Sequence, residues 1–291
     1  MQRCVSLRRV ATLAGLGLVG FVLPARAQRP APLDPEKIRV CADPDNMPSS
    51  NDKLEGYENK LATLISQELK AKLEYVWYPT RRGYFRILNG MYCDLAMEVP
   101  AGLDMAGATK AYFRSGYVFV TRKGSGLDDI NSLADPRLKK VKIGVNIYTS
   151  DAENSPPAMA LSHYGVVGNL VGFSTFFDEN NRPEDIVNAV AKKDVDLAIA
   201  WGPLAGFYAK SATVPLVLTV LPAKDSLSDF PFQYNIGIAV RRSDKEFKDS
   251  LNAVLTRRQS DVQAILKEYA VPLLPIEQGH GGEKGEAKAS S

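Results

Sequence analysis

The stretch Ile38-Arg39-Val40-Cys41-Ala42-Asp43-Pro44, followed by an amphipathic run from Tyr57, decides how this chain reads. Ile38 to Ala42 is a short strand, Asp43-Pro44 stops it, and Tyr57, Leu61, Leu64, Ile65 and Leu69 recur on one helical face. Strand, acidic turn and helix in that order open an α/β unit. In open α/β sheets ligands sit beyond the carboxyl ends of the strands, so the polar turn from Asp43 to Asn51 is expected to border a cleft.

The alternation continues. Leu73, Tyr75 and Trp77 mark a second strand, and Arg82 to Leu88 a short helix stopped by Asn89-Gly90. Tyr117-Val118-Phe119-Val120 reads as a strand crossing out of the unit. A second unit starts at Val141 to Val145, carries a helix announced by Ser155-Pro156 and another over Asn181 to Lys192. Phe232 to Val240 crosses back. Ser243-Asp244-Lys245-Glu246 then predicts a capping box, with Phe247, Leu251, Val254 and Leu255 as the buried face of the helix behind it. A faint repeat links the two units: Cys93-Asp94-Leu95-Ala96-Met97 leads to Pro100-Ala101-Gly102, and Val195-Asp196-Leu197-Ala198-Ile199 leads to Pro203-Leu204-Ala205-Gly206. Two crossings between two similar units predict a hinge.

Before this frame stands an export leader. Arg3, Arg8 and Arg9 are basic, Val10 to Leu23 is an apolar run too short for a membrane span, and Ala25-Arg26-Ala27 is a cleavage site. Cys4 leaves with the leader. So does Gly15-Leu16-Gly17-Leu18-Val19-Gly20, a dinucleotide fingerprint by its letters alone, with no strand before it. Without residues 1–27 the chain has 32 Lys and Arg against 33 Asp and Glu, a net charge of −1 in place of +3. A near-neutral protein gives no electrostatic case for nucleic acid. The expected organisation is leader 1–27, first part of lobe one 28–120, lobe two 121–222, return strand and C-terminal helices of lobe one 223–275, and a disordered tail 276–291.

Catalytic chemistry is sparse. The chain has two histidines, of which His280 lies among glycines of the tail and His163 on a helix. No cluster with metal-ligand spacing, no Gly-x-Ser-x-Gly elbow and no phosphate-cradling loop occurs in the mature chain. The expectation is a binding protein without cofactor or metal, and not an enzyme.

The architecture resembles the polar-amino-acid class of periplasmic solute-binding proteins. Asp43-Pro44-Asp45-Asn46-Met47-Pro48, Pro79-Thr80-Arg81-Arg82-Gly83, Val99-Pro100-Ala101-Gly102, Pro156-Pro157-Ala158 and Trp201-Gly202-Pro203-Leu204-Ala205-Gly206 resemble its quinoprotein-dehydrogenase-associated branch. The resemblance runs from about Ile38 to Leu274, and Asn46-Met47-Pro48-Ser49 departs from the commoner Pro-Phe pair of that branch. It implies an α/β, two-lobed, type II periplasmic-binding-protein fold, each lobe a mainly parallel sheet flanked by helices. It also implies a periplasmic accessory protein that binds or helps activate a methanol or alcohol dehydrogenase using pyrroloquinoline quinone. The alternative is the receptor of an ABC importer for a small ligand other than an amino acid.

Amino-acid binders of this superfamily present an Arg after the third strand for the ligand carboxylate, and Ala101 to Lys110 offers none. They place an Asp for the ligand ammonium where Trp201-Gly202-Pro203 stands. Each lost contact is worth roughly 1.5 to 3 kcal/mol, so an amino acid should bind poorly, with Lys110 or Arg114 the available substitutes for the clamp. The expected cleft residues are Asp43, Asn46, Tyr57, Tyr78, Arg81, Arg82, Pro100, Tyr112, Asn146, Thr149, Trp201, Gly202, Pro203 and Tyr234. Trp77 and Tyr117 alternate like core residues. Tyr and Trp on a cleft wall offer rigid area with a polar tip, which suits a small molecule or a peptide segment. Arg81 and Arg82 stand at a helix start, against the macrodipole, and read either as solvated charges or as a surface for an anionic partner. Cys41 and Cys93 are a pair in an oxidising compartment, which favours a disulfide, whereas parallel strands hold such positions apart, which opposes it.

Overall fold

A computed structural model describes residues 31–79, 83–102, 106–147, 154–178 and 180–277. The leader, Thr149, Arg81, Arg82, His280 and the tail from 278 lie outside the described residues.

The first half is built from β1 (Lys37–Ala42), the small hairpin β2 (Asp45–Asn46) and β3 (Ser50–Asn51), α1 (Tyr57–Leu69), β4 (Lys72–Trp77), α2 (Tyr84–Asn89), β5 (Leu95–Pro100) and β6 (Gly107–Ala108). The chain then enters the ten-residue β7 (Phe113–Arg122). The second half holds a 3₁₀ turn (Pro136–Lys140), β8 (Ile143–Ile147), α3 (Pro156–His163), β9 (Leu170–Ser174), α4 (Asp185–Lys192), β10 (Leu197–Trp201), α5 (Gly202–Lys210) and β11 (Leu216–Val220). β12 (Gln233–Val240) returns to the first half, where α6 (Lys245–Arg257) and α7 (Gln259–Glu268) finish it.

One sheet runs through both halves in the order β4-β1-β5-β12-β7-β10-β8-β9, with β6 on β12 and β11 on β7. The parallel part of each half is three strands, β4-β1-β5 and β9-β8-β10, and the crossing strands join antiparallel, so the sheet is mixed. β7 belongs to both halves. Its residues Phe113 to Gly116 pair with β12, and Tyr117 to Arg122 pair with β10 or β11. The expected boundary at residue 120 therefore falls within a strand whose partners change at Gly116–Tyr117. There the backbones meet closely: a Cβ on Gly116 would lie 2.8 Å from Phe232 O, and one on Gly202 only 2.5 Å from Gly116 O.

The near-continuous apolar strands follow from burial on both faces. In β10, Leu197 and Ile199 pack with Phe119, Ile143 and Leu161, whereas Ala198 and Ala200 pack with Val118, Ile186 and Val190 on the opposite face. In the first half Val40, Leu95 and Ile238 meet Leu61 and Ile65 of α1 and Leu251, Val254 and Leu266 of the last two helices. Cys41, Ala96 and Val99 face the other way, toward Leu88 of α2.

The repeated Asp before β5 and β10 makes the same contacts in both halves. Asp94 accepts a hydrogen bond from the Arg39 N–H at 3.0 Å and donates its own N–H to Arg39 O at 2.7 Å. Asp196 accepts from the Lys142 N–H at 2.8 Å and donates to Lys142 O at 3.0 Å. Each Asp thus pins the start of its strand to the neighbouring parallel strand. Asp94 is fully buried and carries more, pairing with Arg39 at 2.6 Å and Arg241 at 3.1 Å.

Cys41 and Cys93 are bridged, with Cα atoms 5.5 Å apart. Cys93 precedes β5, off the parallel ladder, so strand register does not hold it away from Cys41. The expected capping box of α6 does not form. Asp244 is the N-cap residue without a side-chain cap, because its carboxylate turns to Arg241 at 2.7 Å and accepts a hydrogen bond from the Ser243 hydroxyl. Of the expected tail, Ile276 and Glu277 are described, and Glu277 is held by the Asn235 side chain and by Arg114 at 2.5 Å. Trp77 is neither core nor cleft. It stacks on Tyr75 at 4.7 Å at the outer edge of β4 and is 36% exposed. Among the described residues no helix is long and apolar enough to cross a membrane.

Candidate functional site

A cavity of about 430 Å³ lies between the halves. Its walls come from the carboxyl ends of parallel strands, as open α/β sheets predict: Asp43 to Ser49 after β1, Glu98 and Pro100 of β5, Asn146 of β8, Thr175 and Phe177 after β9, and Trp201 of β10. Tyr117 and Tyr234, from the two crossing strands, add to the wall.

Glu98 reaches the cavity through a bulge. Val99 pairs with Gly237 and Ala96 with Ala239, so two residues of β5 oppose one of β12. Glu98 takes the left-handed backbone at φ 53°, which re-aims its side chain. Its carboxylate accepts the Trp201 indole N–H at 2.6 Å on one oxygen and the Ser49 hydroxyl at 2.6 Å on the other. Trp201 packs edge-to-face on Tyr117 (5.5 Å) and Tyr234 (6.1 Å), touching the cores of both halves. A second link runs from the Tyr208 hydroxyl of α5 to Met47 O at 3.4 Å. The Met47–Pro48 peptide bond is cis.

Glu58, in the first turn of α1, is 6% exposed and lines the same cavity. Burial raises its pKa well above the usual carboxylate range, and the nearby Glu98 and Asp43 charges push it the same way. Burial likewise raises the Tyr57 and Tyr112 phenols. Among the described lining residues none is Lys, Arg or His.

Of the expected cleft residues, Asp43, Asn46, Pro100, Asn146, Trp201 and Tyr234 line the cavity. Tyr57 does not. It is fully buried, edge-to-face on Tyr269 at 5.8 Å, with its hydroxyl 2.9 Å from that of Ser49 beneath the site. Tyr112 is a core residue, 5.0 Å from the Phe113 ring. Tyr78 sits beyond β4, accepting from Arg86 at 3.3 Å outside the cavity. Gly202 and Pro203 are buried in the first turn of α5 and hold Trp201 in place without reaching the cavity. Tyr117, read as core by its alternation, is buried yet lines the cavity. Arg114 offers no carboxylate clamp, because its guanidinium is committed to Gln233 at 3.0 Å and to Glu277. Lys110 is absent from the described wall as well.

Glu58, Glu98 and Phe177 went unseen in the sequence, whereas Ser49 lies in the turn from Asp43 to Asn51 that was expected to border the cleft. Glu58 sits among helix-surface residues by its letters, and the bulge that turns Glu98 inward depends on β12, far away in the chain.

This fold, with its cleft at the strand ends, defines a solute-binding protein of the periplasmic-binding-protein class. MoxJ of Methylorubrum extorquens is 29% identical over 287 residues, covering 91% of this chain and 94% of the relative. MoxJ of Paracoccus denitrificans is 30% identical over 261 residues, covering 84% and 92%. The chain belongs to the MoxJ family. No family model matches it. Among solved structures, the periplasmic binding protein XoxJ of Methylobacterium extorquens AM1 is similar at 37% identity and a TM-score of 0.67, covering 82% of this chain and all of that one. MxaJ of Methlophaga aminisulfidivorans MPT is similar at 30% identity and a TM-score of 0.69, with the same coverage. An ancestral cationic amino acid solute-binding protein, 21% identical with a TM-score of 0.61, shares the fold.

Proposed function

We propose that this protein is a periplasmic accessory factor, not an enzyme, that binds or helps activate a quinoprotein methanol or alcohol dehydrogenase. Membership of the MoxJ family carries the reading. The cleft supports it by what it lacks: Trp201 stands where an amino-acid receptor pairs the ligand ammonium, and Arg114 is turned away from the wall. The test is capture and activation. Tagged mature protein should retain the apo-dehydrogenase on a column and change its rate of activation by pyrroloquinoline quinone, and loss of both effects sinks the reading.

A second reading, the receptor of an importer, is favoured by the presence of a ligand-sized cavity between the halves. Such a receptor gains thermal stability from its ligand by linkage. A melting shift with a small solute, together with no capture of the dehydrogenase, favours the importer.

A further inference from the structure

The polar groups of the cavity wall are engaged with the protein itself. The Glu98 carboxylate accepts from the Trp201 indole and the Ser49 hydroxyl, each at 2.6 Å, and Glu58 hydrogen bonds to it as well. Burial keeps the Glu58 proton in place well above the usual carboxylate range, so the two carboxyls meet as donor and acceptor. Asp43 takes the Asp45 N–H at 3.1 Å inside its own turn, and the Thr175 hydroxyl donates to Ile147 O at 3.3 Å. Much of the remaining wall is apolar or aromatic, with Met47, Met97, Leu204 and Ile236 beside the rings of Tyr84 and Trp201.

An anion finds little to hold it there. Among the described lining residues none is Lys, Arg or His. The helices α1, α3 and α5 begin at the wall, where a helix start can offer N–H groups to an anion. Pro156 and Pro157 of α3 and Pro203 of α5 have no N–H, and in α1 the Tyr57 and Glu58 N–H groups are bonded to Pro48 O and Ser49 O at 2.9 Å. A cation, for its part, would shed its water for carboxyls already hydrogen bonded within the protein. A molecule without charge loses little on leaving water and gains from burial against apolar and ring surfaces, and about 430 Å³ is room for a small one. We infer that the cavity between the halves binds an uncharged, largely apolar small molecule, held by contact with Met47, Met97, Leu204 and the Trp201 and Tyr84 rings and not by a charged anchor.

The test compares ligands of one shape and three charges. Mature protein is titrated calorimetrically with benzyl alcohol, benzylammonium and benzoate, and with the alcohol, ammonium and carboxylate of the naphthalene series. At least one alcohol should saturate one site per chain, about tenfold or more tighter than its charged counterparts. Pyrroloquinoline quinone, which carries carboxylates, should not displace it. Leu204→Phe narrows the cavity and should weaken the alcohol about tenfold while the circular dichroism stays that of the folded chain. If Leu204→Phe does not fold, the alcohol should change the tryptophan fluorescence of wild type and not of Trp201→Phe, because the other tryptophan, Trp77, lies outside the cavity. Equal or tighter binding of a charged counterpart overturns the inference, as does an alcohol that both variants bind and report as wild type does. The absence of saturable heat from either alcohol up to about 10 mM overturns it too. The titration uses no dehydrogenase, so its failure leaves the accessory reading standing and its success does not require it.

Discussion

The Trp201 indole of β10 donates to the Glu98 carboxylate of β5 at 2.6 Å, so one hydrogen bond spans the cavity from the second half to the first. Trp201→Phe keeps an aromatic ring on Tyr117 and Tyr234 but removes the donor. A hydrogen bond to a charged group is worth about 1.5 to 3 kcal/mol, so the urea midpoint should fall accordingly. Small-angle scattering should show a larger radius of gyration as the halves part. An unchanged midpoint and radius would show that the bond does not hold the halves together.

The raised pKa of Glu58 makes stability depend on pH. The folded chain keeps a proton that the unfolded chain releases near the ordinary value of 4.5, so stability is fully present below that value. It should fall as pH rises from there through the raised folded value. Neighbouring Glu98 and Asp43 sharpen the effect, and the buried Tyr57, Tyr84 and Tyr112 stay neutral throughout. Urea unfolding across this window should give a falling free energy for wild type and a flatter one for Glu58→Gln.

Asp94 is the buried centre of a charge network with Arg39 and Arg241. Asp94→Ala removes the buried carboxylate shared by Arg39 and Arg241 and leaves the Arg39 N–H without its acceptor, and should cost about 3 to 5 kcal/mol in urea. Asp196→Ala removes the equivalent contact to Lys142 without a buried ion pair, and should cost only about 1 kcal/mol. Equal costs would refute the difference drawn between the two copies.

The Cys41–Cys93 bridge closes a long loop across the first half. Denatured, unreduced mature protein should show no thiol to a colorimetric reagent. Replacing both residues by Ser should lower stability by about 2 to 4 kcal/mol.

Gly202→Ala tests the crossing point. Its Cβ would press on Gly116 O, which cannot yield as a flexible side chain does, and a loss of about 1 to 3 kcal/mol is expected. A neutral result would mean that the start of α5 and β7 can move apart freely.

Much of the fold was legible because its signals are local. The face of α1, the Gly90 stop of α2, the Pro156 start of α3 and the twin Asp-Leu-Ala strands need only neighbours in the chain to be read. The capping box at Ser243 failed because Arg241, made rigid by Asp94, competes for Asp244. The disulfide was undecidable because it depends on where Cys93 leaves the ladder. The legible part of the site was the residues at or just beyond strand ends, such as Asp43, Asn46 and Trp201. Tyr57 was misplaced because a helix start looks the same whether its ring points to the cleft or beneath it.

The strand order has a consequence for how the molecule is made. β5 is complete early in synthesis, but its second neighbour, β12, lies beyond the whole second half. Until β12 emerges, Leu95 to Val99 present a bare, apolar strand edge, the kind that pairs with whatever strand it meets. The half that begins first is finished last. A nascent chain halted before Gln233 should therefore aggregate, whereas the full-length chain, released a few dozen residues later, can close its own edge.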